Sequence, residues 1–170
     1  MMMIRQENHA DWATVQAVVK EAFSHAARSD GNEAELVAAL RQSDAFIPEL
    51  SLVAQADGNI VGHILFTRAY VDGQAVLALA PLAVLPQYQR RGIGGALIEE
   101  GHRVAKTLAY PYSVVLGSET YYPRFGYRPA ELLGIHPPFE VESKNFMAIQ
   151  LQSSAPPVKG VLCYAKEFGL

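Results

Sequence analysis

The chain holds 170 residues, half of them apolar, with 14 Lys and Arg against 17 Asp and Glu and a formal net charge of −3. That size suits a single domain over residues 1–170 around one buried core, and the charge provides no broad basic field for nucleic acid. No apolar run approaches the ~18 residues of a membrane span, residues 1–7 lack the basic and apolar blocks of a secretory signal, and the lone Cys163 excludes an internal disulfide, so a cytoplasmic protein that binds neither nucleic acid nor membrane is expected.

Residues 8–24 carry Trp12, Val15, Val18, Val19 and Phe23 at helical spacing, with Asn8 or Asp11 placed to cap the first turn. A second helix fits 31–42, where Leu36, Val37 and Leu40 make one apolar face, and Pro48 ends it. Strands follow at 51–55 and 60–70 around the turn Ala56-Asp57-Gly58-Asn59, then at 74–84 after Asp72-Gly73, both turns rich in residues that tolerate positive φ. The 74–84 strand is apolar on both faces, as a central strand should be. Pro81 within it has no N–H for the ladder, so it predicts an edge, a bulge or a place where strands part. A helix over 92–108 places Ile93, Leu97, Val104 and Leu108 on one face, with Glu99 and Arg103 as an i,i+4 pair on the wet side. Short strands are expected at 113–117, 145–151 and 159–166, and a helical turn at 120–126 interrupted by Pro123. Cys163, within Val161-Leu162-Cys163-Tyr164, reads as a packing residue.

Chemistry concentrates between the 74–84 strand and the 92–108 helix. Helix N-termini leave amide groups unpaired and carry partial positive charge, so they seat phosphate. Gly92, Gly94 and Gly95 let an anion approach the backbone, and Arg90 and Arg91 add forked cationic donors. A dinucleotide fingerprint is incomplete here, because Gly92-Ile93-Gly94-Gly95 lacks the full G-x-G-x-x-G and the preceding strand belongs to a run of hairpins. No Gly-Lys-Ser/Thr follows for a Walker loop. The five histidines, at 9, 25, 63, 102 and 136, show no ligand spacing, so no metal is expected. No Gly-x-Ser-x-Gly elbow is present, which favours direct transfer over a covalent enzyme intermediate.

The run Gln89-Arg90-Arg91-Gly92-Ile93-Gly94 resembles the Q/R-x-x-G-x-G/A signature of the GNAT superfamily of N-acetyltransferases. Tyr121-Tyr122-Pro123-Arg124-Phe125-Gly126-Tyr127 resembles that superfamily's late F-Y-x-K-x-G-F motif. Val114-Val115-Leu116-Gly117 and Phe146-Met147-Ala148 bring the chain nearest to the YhbS-like branch. The resemblance implies an α/β (α+β) fold: a mixed, mostly antiparallel sheet whose central strands splay, flanked by helices. It implies acetyl-CoA as co-substrate, held by Leu82, Ala83, Val84, Gln89, Arg90, Arg91, Gly92, Ile93, Gly94, Gly95, Ala96, Tyr122 and Phe125. Ala83 and Val84 would offer backbone groups to the pantetheine arm, and Tyr122 would be the catalytic proton donor. A phenol near pKa 10 can share a proton with a departing thiolate near 8.5 without losing it beforehand. Pro123 and Ser118-Glu119-Thr120 depart from the family's spelling there.

The resemblance implies transfer to a primary amine on a small molecule or a peptide, by a monomer or a homodimer; a non-catalytic acyl-CoA-binding module on the same fold is the alternative. Glu119, His63, Glu33 and Glu35 are conceivable bases, and none stands out. With the thioester entering from the phosphate side, the amine is expected on the face bordered by the first two helices. The 23–35 segment, with Phe23, His25, Arg28, Asp30 and Glu33, would read it, and the Pro137-Pro138 loop is the other choice.

Overall fold

Two hairpin turns lay down the centre of the sheet. In the computed structural model, which describes residues 1–24 and 31–170, Asp57 and Gly58 have φ of 52° and 84°, and Asp72 and Gly73 have φ of 48° and 78°. Two consecutive left-handed residues turn the chain with the twist that antiparallel strands need. The elements in chain order are β1 (Met2–Gln6), α1 (Trp12–Phe23), α2 (Glu33–Arg41), β2 (Ser51–Ala56), β3 (Asn59–Val71), β4 (Gln74–Val84), α3 (Ile93–Thr107), β5 (Tyr112–Leu116), β6 (Arg128–Pro129), β7 (Ile135–His136), β8 (Phe146–Gln150) and β9 (Gly160–Cys163). Single 3-10 turns connect several of them, including Tyr122–Phe125.

The sheet order is β1-β2-β3-β4-β5-β8-β6, with β9 pairing the far end of β3 and the short β7. Along the main path every pairing is antiparallel except β4 with β5. This is the mixed, mostly antiparallel sheet that the motifs imply. β1 has no counterpart among the expected strands. Among the described residues it is an edge strand pairing only with β2, Met2 opposite Ala56, and its Met1–Met3 end is exposed, so its sequence shows no alternation between faces.

Helix α3 covers one face of the sheet, its Ile93, Leu97, Ile98 and Ala105 packing on Leu52, Ile64, Phe66 and Leu77. The opposite face carries α1 and α2, through Val15, Val19, Val37 and Leu40 against Val53, Leu65 and Ala83. The buried stripe of α3 is rotated from the expected one: Val104 and Leu108 are only half-buried, and Gly101 lies beneath the Phe66 ring, where a Cβ would come within 2.2 Å. Arg103 donates to both carboxylate oxygens of Glu100, at 2.7 and 2.8 Å, so the surface pair is i,i+3 and does not involve Glu99. Cys163 is exposed: in β9 Leu162 points inward, and alternation turns Val161 and Cys163 outward.

The α1–α2 layer is anchored by a buried ion pair. Arg41 donates from Nε and Nη2 to the two carboxylate oxygens of Glu7 at 3.0 and 2.9 Å, and from Nη1 to Gln16 Oε1 at 3.1 Å. Both charged side chains are 3% exposed, and the Trp12 ring lies 5.0 Å from the guanidinium. Paired and hydrogen-bonded on several sides, the two charges tolerate a burial that neither would alone.

Candidate active site

Pro81 produces two of its three expected outcomes. Leu79 stands opposite Phe66 and Leu82 opposite Ile64, so Ala80 and Pro81 together face one residue of β3. That extra residue is a bulge, and it places the missing N–H where the ladder is already broken. The Ala80–Pro81 peptide is cis. On the other side, β4 pairs with β5 only from Leu77 opposite Ser113 to Leu79 opposite Val115. Beyond Leu79 β4 continues to Val84 without a partner on that edge among the described residues, while β5 stops at Leu116. The sheet opens there.

Register decides which backbone groups face the opening. Leu85 N–H donates to Val61 O at 2.9 Å, which makes Leu85 and Ala83 the residues whose backbone bonds run inward to β3. Leu82 and Val84 therefore turn their N–H and C=O toward the gap. Ala83, expected to offer such groups, is 1% exposed and directed to His63, which corrects that expectation by one residue.

A cavity of about 840 Å³ follows the opening on the α3 face. Of the expected contacts, Leu82, Val84, Gln89, Arg90, Gly92, Ile93, Gly94, Gly95, Ala96 and Phe125 line it. Ala83, Arg91 and Tyr122 do not. Arg91 lies outside with its guanidinium 5.3 Å from the Tyr88 ring. Tyr88, Glu99, Tyr121 and Arg124 complete the lining and are not among the expected co-substrate contacts; Tyr121 is the neighbour of the expected proton donor, and Arg124 had a signal, its charge inside the aromatic motif. The first backbone bond of α3 runs from Ala96 N–H to Gly92 O at 3.0 Å, so the amides of Ile93, Gly94 and Gly95 precede it and project from the helix end. Gly92 (φ 80°) and Arg90 (φ 64°) are both left-handed, and the Gln89 side chain ties the turn back to Val84 O at 3.1 Å. Gly94 and Gly95 serve a second purpose: a Cβ would stand 2.6 Å from Tyr121 Oη in one and 2.9 Å from the Phe125 ring in the other. Their bareness lets the aromatic turn close over the helix start.

That turn separates two adjacent tyrosines. Tyr121 leans on α3, whereas the Tyr122 ring lies over Gly117 at the end of β5, 5.1 Å from Tyr121 and 5.8 Å from Tyr127 between centroids. Burial, reinforced by Tyr121, pushes the Tyr122 phenol well above its ordinary pKa. Tyr127 beneath it is 2% exposed and hydrogen-bonded to His102 Nε2 (3.0 Å) and Ser113 Oγ (2.9 Å).

A second cavity, of about 710 Å³, opens on the other face of the gap. Leu79, Ala80 and Leu116, the residues where β4 and β5 part, form part of its wall, with Glu33 and Glu35 of α2. Of the residues expected to read an acceptor, Phe23 is half-buried against the α1–α2 core and Glu33 lines this cavity; His25, Arg28 and Asp30 lie outside the described residues. Phe139, next to Pro137-Pro138, also lines it, and so do Tyr164, Glu167, Phe168 and Leu170, which the sequence reading did not connect with the site. Two of the conceivable bases sit badly. His63 is fully buried beside Arg41, its pKa lowered to about 3 by burial and then by that charge. Glu119 is held low by its own backbone N–H and by Asn145 Nδ2, 2.8 Å from Oε2. Among the described residues no three His, Cys, Asp or Glu are grouped to hold a metal ion, and no helix is long and apolar enough to cross a membrane.

A sheet parted beside one parallel pair, with a helix start aimed along the opening, defines an acyl-CoA acetyltransferase fold. The chain belongs to the acetyltransferase (GNAT) family, whose model matches residues 12–127. It is 38% identical over 149 residues to the N-acetyltransferase YjhQ of Escherichia coli K12, covering 85% of this chain and 80% of that one. A GNAT family acetyltransferase from Brucella melitensis, crystallised with acetyl-CoA, superposes with a TM-score of 0.83 at 33% identity, over 99% of this chain and 98% of that one. YhbS from Escherichia coli, in complex with CoA, gives a TM-score of 0.89 at 28% identity over 99% and 92% of the two chains.

Proposed function

We propose that this chain, acting as one domain over residues 1–170 in the cytoplasm, transfers acetyl from acetyl-CoA to a primary amine by direct attack, with Tyr122 as the group that meets the leaving sulfur. The observation that carries this reading is the parted β4–β5 edge with a cavity on each face. The residues fit the co-substrate: unpaired amides at the α3 start beside Arg90 and Arg124 suit a pyrophosphate, and the outward amides of Leu82 and Val84 suit an amide-bearing arm laid along β4 as a substitute strand. Acetyl-CoA supplies the thioester carbonyl and a thiolate leaving group.

The chain's part is positioning and proton control. Loss of one proton from the attacking nitrogen and gain of one by the departing sulfur balance the reaction. Tyr122 stays protonated because its burial disfavours the phenolate. It therefore donates a hydrogen bond to the sulfur as charge develops there, and its ring position at the end of β5 supports that role better than Tyr121, which faces the helix start. The test has two parts. Calorimetry should show acetyl-CoA binding that is retained in Tyr122→Phe, and thiol release with an amine panel should show kcat lower by about 10²-fold or more in Tyr122→Phe. Equal loss in Tyr121→Phe with none in Tyr122→Phe assigns the hydroxyl to Tyr121. Tight acetyl-CoA binding without thiol release for any amine gives the non-catalytic alternative.

A further inference from the structure

The second cavity has a definite chemistry. Its described lining holds three carboxylates, Glu33, Glu35 and Glu167, and no Lys, Arg or His. Neither Glu35 nor Glu167 makes an ion pair among the described residues, so both present negative charge to the space. The opposite wall is a contiguous aromatic run: Phe139 and Tyr164 stack at 6.1 Å and 28°, and Tyr164 meets Phe168 at 5.0 Å. Aromatic faces attract cations and cover apolar stems. Burial pushes the Tyr164 phenol up to about 12, so that ring presents no negative charge of its own. The floor, at Leu79, Ala80 and Leu116, is where the sheet parts, so a nitrogen reaching it stands at the mouth of the gap.

We infer that the acceptor is a slender small-molecule diamine, whose reacting nitrogen enters at Leu79–Leu116 while a second, cationic nitrogen is held by Glu35 and Glu167, with Phe139, Tyr164 and Phe168 flanking the stem between them. The inference rests on the acetyl-transfer reading and narrows its substrate class. It also gives the 164–170 segment a role, because Tyr164, Glu167 and Phe168 form the wall that faces α2. A monoamine has no distal cation for Glu35 and Glu167, so beyond its reacting nitrogen it gains only apolar contacts here. An amine with a distal carboxylate meets like charge, which costs affinity.

Three probes with the same five-carbon chain separate these terms: cadaverine, pentylamine and 5-aminovalerate. Acetyl-CoA binding is measured first by calorimetry, in wild type and in the double variant Glu35→Gln, Glu167→Gln. Thiol release then gives kcat and KM for each amine. The expected order of kcat/KM is cadaverine, then pentylamine, then 5-aminovalerate. In the double variant KM for cadaverine should rise about tenfold while that for pentylamine moves less than about twofold, with acetyl-CoA affinity unchanged. A merely structural loss would move both amines alike. Absence of acetyl-CoA binding in wild type would refute the acetyl-transfer reading itself. Acetyl-CoA binding with no preference for cadaverine, with a preference that survives the double substitution, or with none of the three amines acetylated, would overturn the diamine assignment alone.

Discussion

Gly117→Ala tests the placement of Tyr122 without removing its hydroxyl. A Cβ at Gly117 would stand 2.4 Å from Tyr122 Cε2 and 3.0 Å from Cδ2, so the ring has to retreat by about 1 Å to restore an ordinary 3.4 Å contact. The backbone cannot retreat instead. Gly117 N–H donates to Asn145 O at 2.9 Å, and Gly117 O accepts from Asn145 Nδ2 at 3.0 Å, which clamps it from both sides. The ring is also hemmed by Tyr121 and by the buried Tyr127, so overpacking should cost about 1–3 kcal/mol of stability. A displacement of that size at a reacting centre lowers kcat by about 10²-fold. Gly117 lies outside the lining of the first cavity, so acetyl-CoA affinity should stay within about twofold. The assay is thiol release at saturating acetyl-CoA, paired with calorimetry and a urea melt. A folded Gly117→Ala protein with kcat within about threefold of wild type would show that the Tyr122 position is irrelevant to the chemistry.

Gly94→Glu places a carboxylate among Leu82, Tyr121 and the free amides of α3, and CoA affinity should fall about 10²-fold through like-charge repulsion and steric conflict; unchanged affinity in the folded variant removes the phosphate reading. Arg41→Ala leaves Glu7 buried without its partner and should cost about 3–5 kcal/mol in urea denaturation, whereas a loss under about 1 kcal/mol would mean that the pair is dispensable. Two buried histidines set the acid limit. Burial, with help from Arg41 and Lys106 respectively, lowers His63 to about 3 and His102 to about 4 from 6.5, so the unfolded chain binds more protons below that value. Their contribution is complete above about pH 6.5 and is lost as pH falls below it, at up to about 1.4 kcal/mol per pH unit for each histidine. Urea midpoints measured from about pH 7 down to 5 should fall, with a shallower slope in His102→Gln; a flat profile would place these histidines in wet surroundings.

Several elements were legible because single residues dictate local backbone. Asp57-Gly58 and Asp72-Gly73 tolerate the left-handed φ that a two-residue hairpin turn demands, so both hairpins and the three strands they join could be read directly. Gly92, left-handed at the cap, and the bare Gly94 and Gly95 just inside the helix announced the start of α3. Pro81 reported a broken ladder because a missing N–H is a property of the residue. The sequence could not tell which of Ala83 and Val84 faces the gap, since strand parity is set by the register against Val61 and His63 on β3. Nor could it separate the positions of Tyr121 and Tyr122, because one 3-10 turn sends neighbouring rings to α3 and to the end of β5. The strand character of residues 2–6 came entirely from pairing with β2. The second cavity was the least legible feature of all. Its carboxylates and rings come from residues as far apart as Glu33 and Phe168, and they share one space because the β3–β9 pairing brings the end of the chain back over α2. Local preferences act over a few residues and can be read in order, whereas a site assembled from distant segments exists only once the sheet has fixed where each of them returns.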